Sequence, residues 1–97
     1  MYNRNIGYKL VVKPGAELDI TEALEWYEEN TELSLELLNE IDEVLIRIES
    51  DPDNFQKRYK EIRIVFTEHF RYGIHYTIEN KTVYVQAVLH TSRKPKS

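Results

Sequence analysis

The spacing of apolar residues changes between residues 50 and 59, and this change restricts the fold more than any other feature of the sequence. From residue 16 to residue 50 apolar residues recur every three to four positions, as in Ile20, Ala23, Leu24 and Tyr27. From residue 59 onward they recur at every second position. The first spacing is typical of an amphipathic helix and the second of a β-strand. A helical part is therefore predicted to precede most of a β-sheet.

Turn-forming residues divide this pattern into separate elements. Pro14-Gly15 ends an apolar, β-branched segment, and Asp51-Pro52 ends a helix, because a residue before proline disfavours helical geometry. The predicted elements are a strand over residues 8–13, helices from about 16 to 30 and from 34 to 50, and strands over 59–66, 71–79 and 82–90.

The predicted fold is an α+β domain of order β-α-α-β-β-β, in which an antiparallel helical hairpin covers one face of an antiparallel sheet. Side chains alternate between the two faces of a strand, so the other face of the sheet stays open. In the first of the three C-terminal strands, Ile62, Ile64 and Phe66 are predicted to face the helices. The open face is predicted to carry a partly basic, aromatic set: Arg63, Arg71, His75, Tyr84, Gln86 and His90.

The length and composition suit one small domain. The 97 residues include no cysteine, which excludes disulfides and thiolate metal sites. No apolar run reaches the roughly 20 residues of a membrane span, and His69, His75 and His90 lack the spacing of metal ligands. We therefore expect a single domain over residues 1–97, located in the cytoplasm, with no metal, no cofactor and no membrane segment.

Charge is distributed unevenly along the chain. Residues 1–50 contain 4 Lys/Arg and 12 Asp/Glu, whereas residues 51–97 contain 9 Lys/Arg and 5 Asp/Glu. The acidic half coincides with the predicted helices and the basic half with the predicted strands. Two solvated faces would explain this asymmetry, and so would a basic sheet face that meets nucleic acid or an acidic partner.

Six segments, in this order and spacing, resemble the RelE/ParE superfamily of toxins. They are AELDI (16–20), ALEWYE (23–28), IESDP (48–52), RIVF (63–66), RYGIHY (71–76) and VLHTSRKP (88–95). The resemblance implies a toxin of a type II toxin–antitoxin system, held inactive by a cognate antitoxin protein. It also implies one of two targets, which are DNA gyrase for ParE-like members and the ribosome with its mRNA for RelE-like members.

The resemblance assigns different roles to the basic residues in the two cases. A RelE-like ribonuclease would use Arg63, His90 and Arg93 for catalysis, since cleavage needs proton transfer and charge stabilisation at a phosphate. In either case Arg71, Lys94 and Lys96 are candidate contacts to the target or to nucleic acid. These basic residues could also be solvated or paired with the acidic helices.

Two departures separate the chain from the RelE-like pattern. Gly73 stands where those members carry a catalytic arginine, and none of the residues after Arg93 matches their C-terminal tyrosine. The pI of about 5.4 also suits a protein target better than the ribosome. These features favour ParE-like inhibition of DNA gyrase, with a RelE-like ribonuclease or an inactive, antitoxin-binding relative as alternatives. Trp26 and Tyr27 are interpreted as helix–sheet packing residues.

Overall fold

Two α-helices and a five-stranded sheet make up the computed structural model, which describes residues 7–91. In chain order the elements are β1 (Lys9–Val12), α1 (Pro14–Asn30), α2 (Ser34–Ser50), a short 3-10 helix (Pro52–Asn54), β2 (Lys57–Tyr59), β3 (Ile62–Phe66), β4 (Tyr72–Glu79) and β5 (Thr82–His90). The predicted α+β class and the two-helix arrangement are confirmed. The predicted strand over 59–66 is instead two strands, because Lys60 adopts a left-handed backbone conformation and turns the chain.

Pro14 at the start of α1 and Thr31 between the helices help to define the helical hairpin. Pro14 lies in the first turn of α1, where its missing N–H costs no hydrogen bond. The Thr31 hydroxyl donates to the Tyr27 carbonyl at 2.6 Å and accepts the backbone N–H of Leu33 at 2.9 Å, which fixes the turn into α2. Neither helix within residues 7–91 has the length and apolar character that a membrane crossing requires.

The sheet has the strand order β1-β5-β4-β3-β2. Its three hairpin pairs are antiparallel, but β1 runs parallel to β5, so the sheet is mixed rather than fully antiparallel as predicted. The turn between β4 and β5 consists of Asn80 and Lys81, both with positive φ, as a tight two-residue hairpin requires. Because β5 pairs with β4 on one side and with β1 on the other, it lies in the interior of the sheet.

The core lies between the helical hairpin and one face of the sheet. Its buried side chains come from both layers: Ala16, Ala23, Leu37, Ile41, Val44, Ile48, Val65, Tyr72, Ile74, Tyr76, Val83, Val85 and Val88. Tyr76 is fully buried, and its hydroxyl donates to the Pro52 carbonyl at 2.7 Å. This bond attaches the segment after α2 to the middle of β4.

The side chains of β3 face the opposite way from the prediction. Val65 is 5% exposed and pairs with Ile74 of the core, so it faces the helices, and Arg63 lies on that same side. Ile64 and Phe66 lie on the open face, where Phe66 is 41% exposed. Both faces of this strand carry apolar residues, so a count of apolar residues per face cannot identify the buried one.

A β-bulge at Gln86 reverses the faces of the last part of β5. Adjacent residues of β4 pair with Val85 and Ala87, which leaves Gln86 without a residue directly opposite. A bulge of one residue shifts all later side chains to the other face. Val88 is therefore buried against the helices, and His90 lies on the helix side rather than on the predicted open face.

Candidate functional site

A cleft of about 410 Å³ opens between α1 and the ends of β4 and β5. Asp19, Glu22 and Trp26 lie at i, i+3 and i+7 on α1, so they project from one side of the helix. On the side of the cleft opposite α1, the sheet contributes the rings of Tyr72 and His90. The side chains that determine the character of the cleft are Asp19, Glu22, Trp26, Tyr27, Tyr72 and His90.

Aromatic rings form a continuous edge-to-face chain along this cleft. The ring centroids of Trp26 and Tyr27 are 5.1 Å apart, those of Tyr27 and Tyr72 are 6.4 Å apart, and those of Tyr72 and His90 are 5.1 Å apart. Tyr27 packs between helix and sheet as predicted. Trp26 does not, since 55% of the residue is exposed at the mouth of the cleft. An exposed tryptophan beside buried rings is a typical feature of a binding surface.

Asp19 connects α1 to the unpaired edge of β5. β1 pairs with β5 only as far as Val85, and within residues 7–91 no other strand lies beside the edge beyond that residue. The backbone N–H of Val88 points to this edge and donates to Asp19 Oδ2 at 3.0 Å. The Asp19 carboxylate thus accepts a backbone hydrogen bond that a neighbouring strand would otherwise accept. The conspicuous AELDI segment of the sequence contains this aspartate, but its contact spans 69 residues and was not anticipated.

Replacing Asp19 by alanine is expected to lower the free energy of unfolding by about 1–3 kcal/mol, because the buried N–H of Val88 loses its acceptor. Asp19→Asn keeps an acceptor oxygen and should cost less. Glu25→Ala, on the exposed side of the same helix, is the matched control and should change stability little. Urea unfolding of the three variants measures the difference, and equal effects of Asp19→Ala and Glu25→Ala would show that the bond contributes nothing.

Arg63 and His90 are not brought together. Arg63 pairs with Tyr76 and His90 with Tyr72, four residues apart along β4 and two strands apart, so their Cα atoms are separated by roughly 16 Å. The side chain of Arg63 is only 14% exposed, and its Nε donates to the Phe55 carbonyl at 2.7 Å. Arg63 is thus largely committed to holding the segment after α2.

The two remaining positions of interest in residues 7–91 lie at the start of β4. Arg71 is exposed in the preceding turn with a φ of 64°, and its carbonyl accepts the N–H of Thr91 at 2.8 Å. Gly73 faces the open side of the sheet beneath the ring of Phe66. A Cβ at Gly73 would lie 3.0 Å from Phe66 Cε1 and 3.0 Å from Ile64 Cγ2, so these two side chains would have to shift by a few tenths of an ångström to admit it.

The other sequence-predicted site residues are Arg93, Lys94 and Lys96, which lie outside the described residues. They follow His90 closely in the sequence, and His90 lines the cleft. Within residues 7–91 no three His, Asp or Glu side chains gather closely enough to hold a metal ion.

The side chains of His75 and Tyr84 lie on the open face of the sheet, as predicted, and give it aromatic surface. Gln86 lies beside them at the bulge. The hydroxyl of Tyr59 lies 3.3 Å from Nδ1 of the half-buried His75, and this burial lowers the pKa of His75. Gln86 donates to the Thr77 hydroxyl at 3.1 Å. The arrangement favours a neutral imidazole in a packed surface.

Two cations lie over rings of this open face. The guanidinium of Arg58 is 5.6 Å from the ring centroid of Phe66, and the ammonium of Lys13 is 5.7 Å from that of Tyr84. Such contacts hold cations against exposed aromatic surface. The basic, aromatic character predicted for this face therefore comes from Arg58 and Lys13 rather than from Arg63 and His90.

Comparisons with known proteins place these features in a family. The family model of the ParE toxin of the type II toxin–antitoxin system parDE matches residues 10–95. A solved structure of the chromosomal ParDE TA system from P. aeruginosa is similar, with a TM-score of 0.76 and 14% sequence identity over 86% of this chain and 95% of that chain. At this identity the likeness concerns the fold alone. Among curated proteins none matches significantly.

Proposed function

The chain belongs to the ParE toxin family of type II toxin–antitoxin systems, and from this membership we propose that it acts as a single-domain toxin held inactive by a cognate antitoxin. The observation that carries the proposal is the family match over residues 10–95, which spans both helices and nearly the whole sheet. The fold shared with a ParDE structure supports it.

Exposed apolar residues on the helical hairpin support an antitoxin partner. Leu35 and Ile46 are 65% and 63% exposed, and their spacing of 11 residues, three helical turns, places them on one side of α2. Leu18 on α1 is 57% exposed. Exposed apolar surface of this kind suits an amphipathic helix or an added strand from a partner. The antitoxin is expected to be the product of an adjacent gene and to co-purify with this chain.

Inhibition of DNA gyrase by protein contact is the proposed activity, and two features of the site support it over ribonuclease chemistry. Arg63 is held by the Phe55 carbonyl and lies far from His90, so these two candidate catalytic residues share no site. Position 73 holds glycine in place of the arginine of RelE-like members, and a Cβ there would lie 3.0 Å from the ring of Phe66. An inhibitor that acts by binding needs neither residue as a catalyst.

The contact residues proposed for the target are Arg71, Lys94 and Lys96. Arg71 is exposed in a turn at the end of the sheet where β5 also ends. A cation in such a turn can reach a partner without rearrangement of the core. Arg71→Asn is the suitable test variant, because asparagine tolerates positive φ and the substitution therefore removes the charge alone.

Pulse-labelling of cells just after induction of this protein, without its neighbouring gene, tests the proposed target. DNA synthesis and protein synthesis are followed in parallel, with uninduced cells and cells that also express the neighbouring gene as controls. Early loss of DNA synthesis with protein synthesis intact is expected, and the neighbouring gene should prevent it. Both the target and the antitoxin imply action in the cytoplasm.

Other outcomes of this experiment identify the alternatives. Early loss of protein synthesis would replace the gyrase proposal by mRNA cleavage, and would restore Arg63, His90 and Arg93 as catalytic candidates. Unimpaired growth, together with binding of the neighbouring product, would identify a relative that keeps only antitoxin binding. Purified DNA gyrase that supercoils DNA normally in the presence of the protein would contradict the proposed activity directly.

A further inference from the structure

The cleft between α1 and the sheet combines negative charge with aromatic surface. Asp19 and Glu22 lie on its helical side, and the rings of Trp26 and Tyr72 line it. We propose that this cleft binds a cationic side chain, best an arginine, contributed by a segment of the antitoxin. The identity of the partner rests on the proposed function, whereas the preference for a cation rests on the cleft itself.

The charges around the cleft select against other ligands. Two carboxylates of α1, Asp19 and Glu22, line the cleft, and His90 is the one basic side chain among its lining residues in the described part of the chain. A phosphate or a carboxylate would therefore be repelled. A neutral apolar side chain would contact the rings but would bring Glu22 into a drier environment without a counter-charge, which is unfavourable. Only a cation gains from both the carboxylates and the rings.

The rings add specificity for a guanidinium. A cation is attracted to the face of an aromatic ring, most strongly to tryptophan, and Trp26 is 55% exposed at the mouth. A planar guanidinium stacks on such a ring while it donates hydrogen bonds to a carboxylate, which a lysine ammonium does less well. Asp19 is already oriented by the N–H of Val88, so one wall of the cleft is preorganised.

The size of the cleft fits one side chain rather than a helix. Its volume of about 410 Å³ lies at the lower end of the roughly 300–1,000 Å³ of small-ligand pockets. The exposed apolar side chains of Leu35 and Ile46 on α2 would receive another part of the antitoxin segment. The cleft would then fix the register of that segment through one charged residue.

Trp26 provides a direct measurement, because it is the single tryptophan of the chain. Its fluorescence is recorded while N-acetyl-arginine amide is added to the full-length protein, and N-acetyl-citrulline amide serves as the uncharged probe of the same shape. A saturable change is expected with the arginine probe alone. Glu22→Gln should weaken its binding by about five-fold, the effect of one partly exposed charge pair.

Glu25→Gln is the matched control, since it removes the same charge from the same helix at an exposed position that does not line the cleft. It should change the affinity by less than about two-fold. Equal responses to the two probes, no response at all, or equal effects of the two substitutions would overturn the proposal. Circular dichroism of each variant verifies that the fold is retained.

Residues of the chain itself are the competing occupant, because Arg93, Lys94 and Lys96 follow His90 in the sequence. A full-length variant with Arg93→Gln, Lys94→Gln and Lys96→Gln tests this possibility. Unchanged affinity for the arginine probe supports a site for a partner. A gain of about ten-fold or more would assign the cleft to the chain's own cations and overturn the proposal.

The antitoxin itself supplies the last comparison. Glu22→Gln is expected to raise the dissociation constant of the neighbouring gene product about five-fold relative to Glu25→Gln. Binding of that product without such a difference would overturn the proposal and leave the proposed function intact. A neighbouring product that does not bind at all would remove the proposed function and the antitoxin as ligand, while the probe titration still decides whether the cleft selects cations.

Discussion

Replacing Tyr76 by alanine is expected to lower the free energy of unfolding by about 3–5 kcal/mol, enough to unfold a large share of the molecules of a marginally stable domain. Tyr76 is fully buried at the centre of β4 and contacts both layers of the fold. Its removal leaves a cavity that the helices and the sheet cannot close without repacking. Urea unfolding followed by circular dichroism measures the loss.

Tyr76→Phe separates the hydroxyl from the ring. The ring remains, but the buried carbonyl of Pro52 loses its donor, and we expect a cost of about 1–3 kcal/mol. Tyr84→Phe, on the partly exposed open face, is the control and should be nearly neutral. A Tyr76→Phe protein as stable as the parent would mean that the Pro52 carbonyl finds another donor.

The same hydroxyl predicts how stability falls at high pH. Burial raises the pKa of Tyr76 to about 12, above the ordinary value of 10.0 in the unfolded chain. The unfolded chain therefore releases this proton first, so the stability from Tyr76 is complete below pH 10 and is lost as the pH rises toward 12. The Tyr76→Phe protein should lose less stability than the parent over this interval.

Introducing an arginine at Gly73 is expected to destabilise the domain by about 1–3 kcal/mol and to confer no ribonuclease activity. The Cβ of a new side chain would lie 3.0 Å from Phe66 and from Ile64, so both side chains must shift by a few tenths of an ångström, and the remainder of the arginine must pass the ring of Phe66. Glycine in a strand is often covered by an aromatic ring of the neighbouring strand. Here Phe66 and Gly73 are direct partners in the register.

A double substitution tests this explanation. Gly73→Arg combined with Phe66→Ala should be less destabilising than the sum of the two single changes, because the ring no longer obstructs the arginine. Thermal unfolding of the four proteins gives the interaction energy. Additive effects, or a fully stable Gly73→Arg protein, would show that the position is open after all.

The helices could be predicted from the sequence because apolar residues recur at helical spacing on each of them. In α2 that spacing predicts a main stripe of Leu38, Ile41, Leu45 and Ile48, with Leu37 and Val44 beside it. The buried residues are Leu37, Ile41, Val44 and Ile48, so the helix is rotated slightly from the predicted stripe. β4 was equally clear, since its core side is apolar and its open side is interrupted by Gly73. The pattern in these segments agrees with the tertiary packing.

The side chains of β3 and of the end of β5 could not be assigned in the same way. In β3 the open face, with Ile62, Ile64 and Phe66, is more apolar than the buried face, with Arg63 and Val65. The choice of face depends on the pairing with β4, which is a tertiary contact that the pattern of β3 alone does not contain. In β5 the bulge at Gln86 is a local backbone feature with no glycine to indicate it. As a result, the faces predicted for two candidate catalytic residues, Arg63 in β3 and His90 in β5, are wrong.

The cleft was missed for a related reason. Trp26 stood out in the sequence, but helical spacing alone cannot distinguish a ring at the margin of the core from one inside it. In the sequence Asp19 is one of six carboxylates of α1, and nothing there indicates that it accepts the backbone N–H of Val88. Residues that compensate for an interrupted sheet edge are visible only once the edge is known.

Among residues 7–91, β5 is the strand furthest along the chain, and it lies between β4 and β1. Until a ribosome has made β5, β1 lacks its partner in the sheet and α1 lacks part of the surface on which it packs. The core therefore cannot be completed before β5 has been synthesised, and pairing between strands so far apart in the sequence is slow. Each new molecule passes through an interval in which α1 and β1 are present without the strand that joins them to the rest of the sheet.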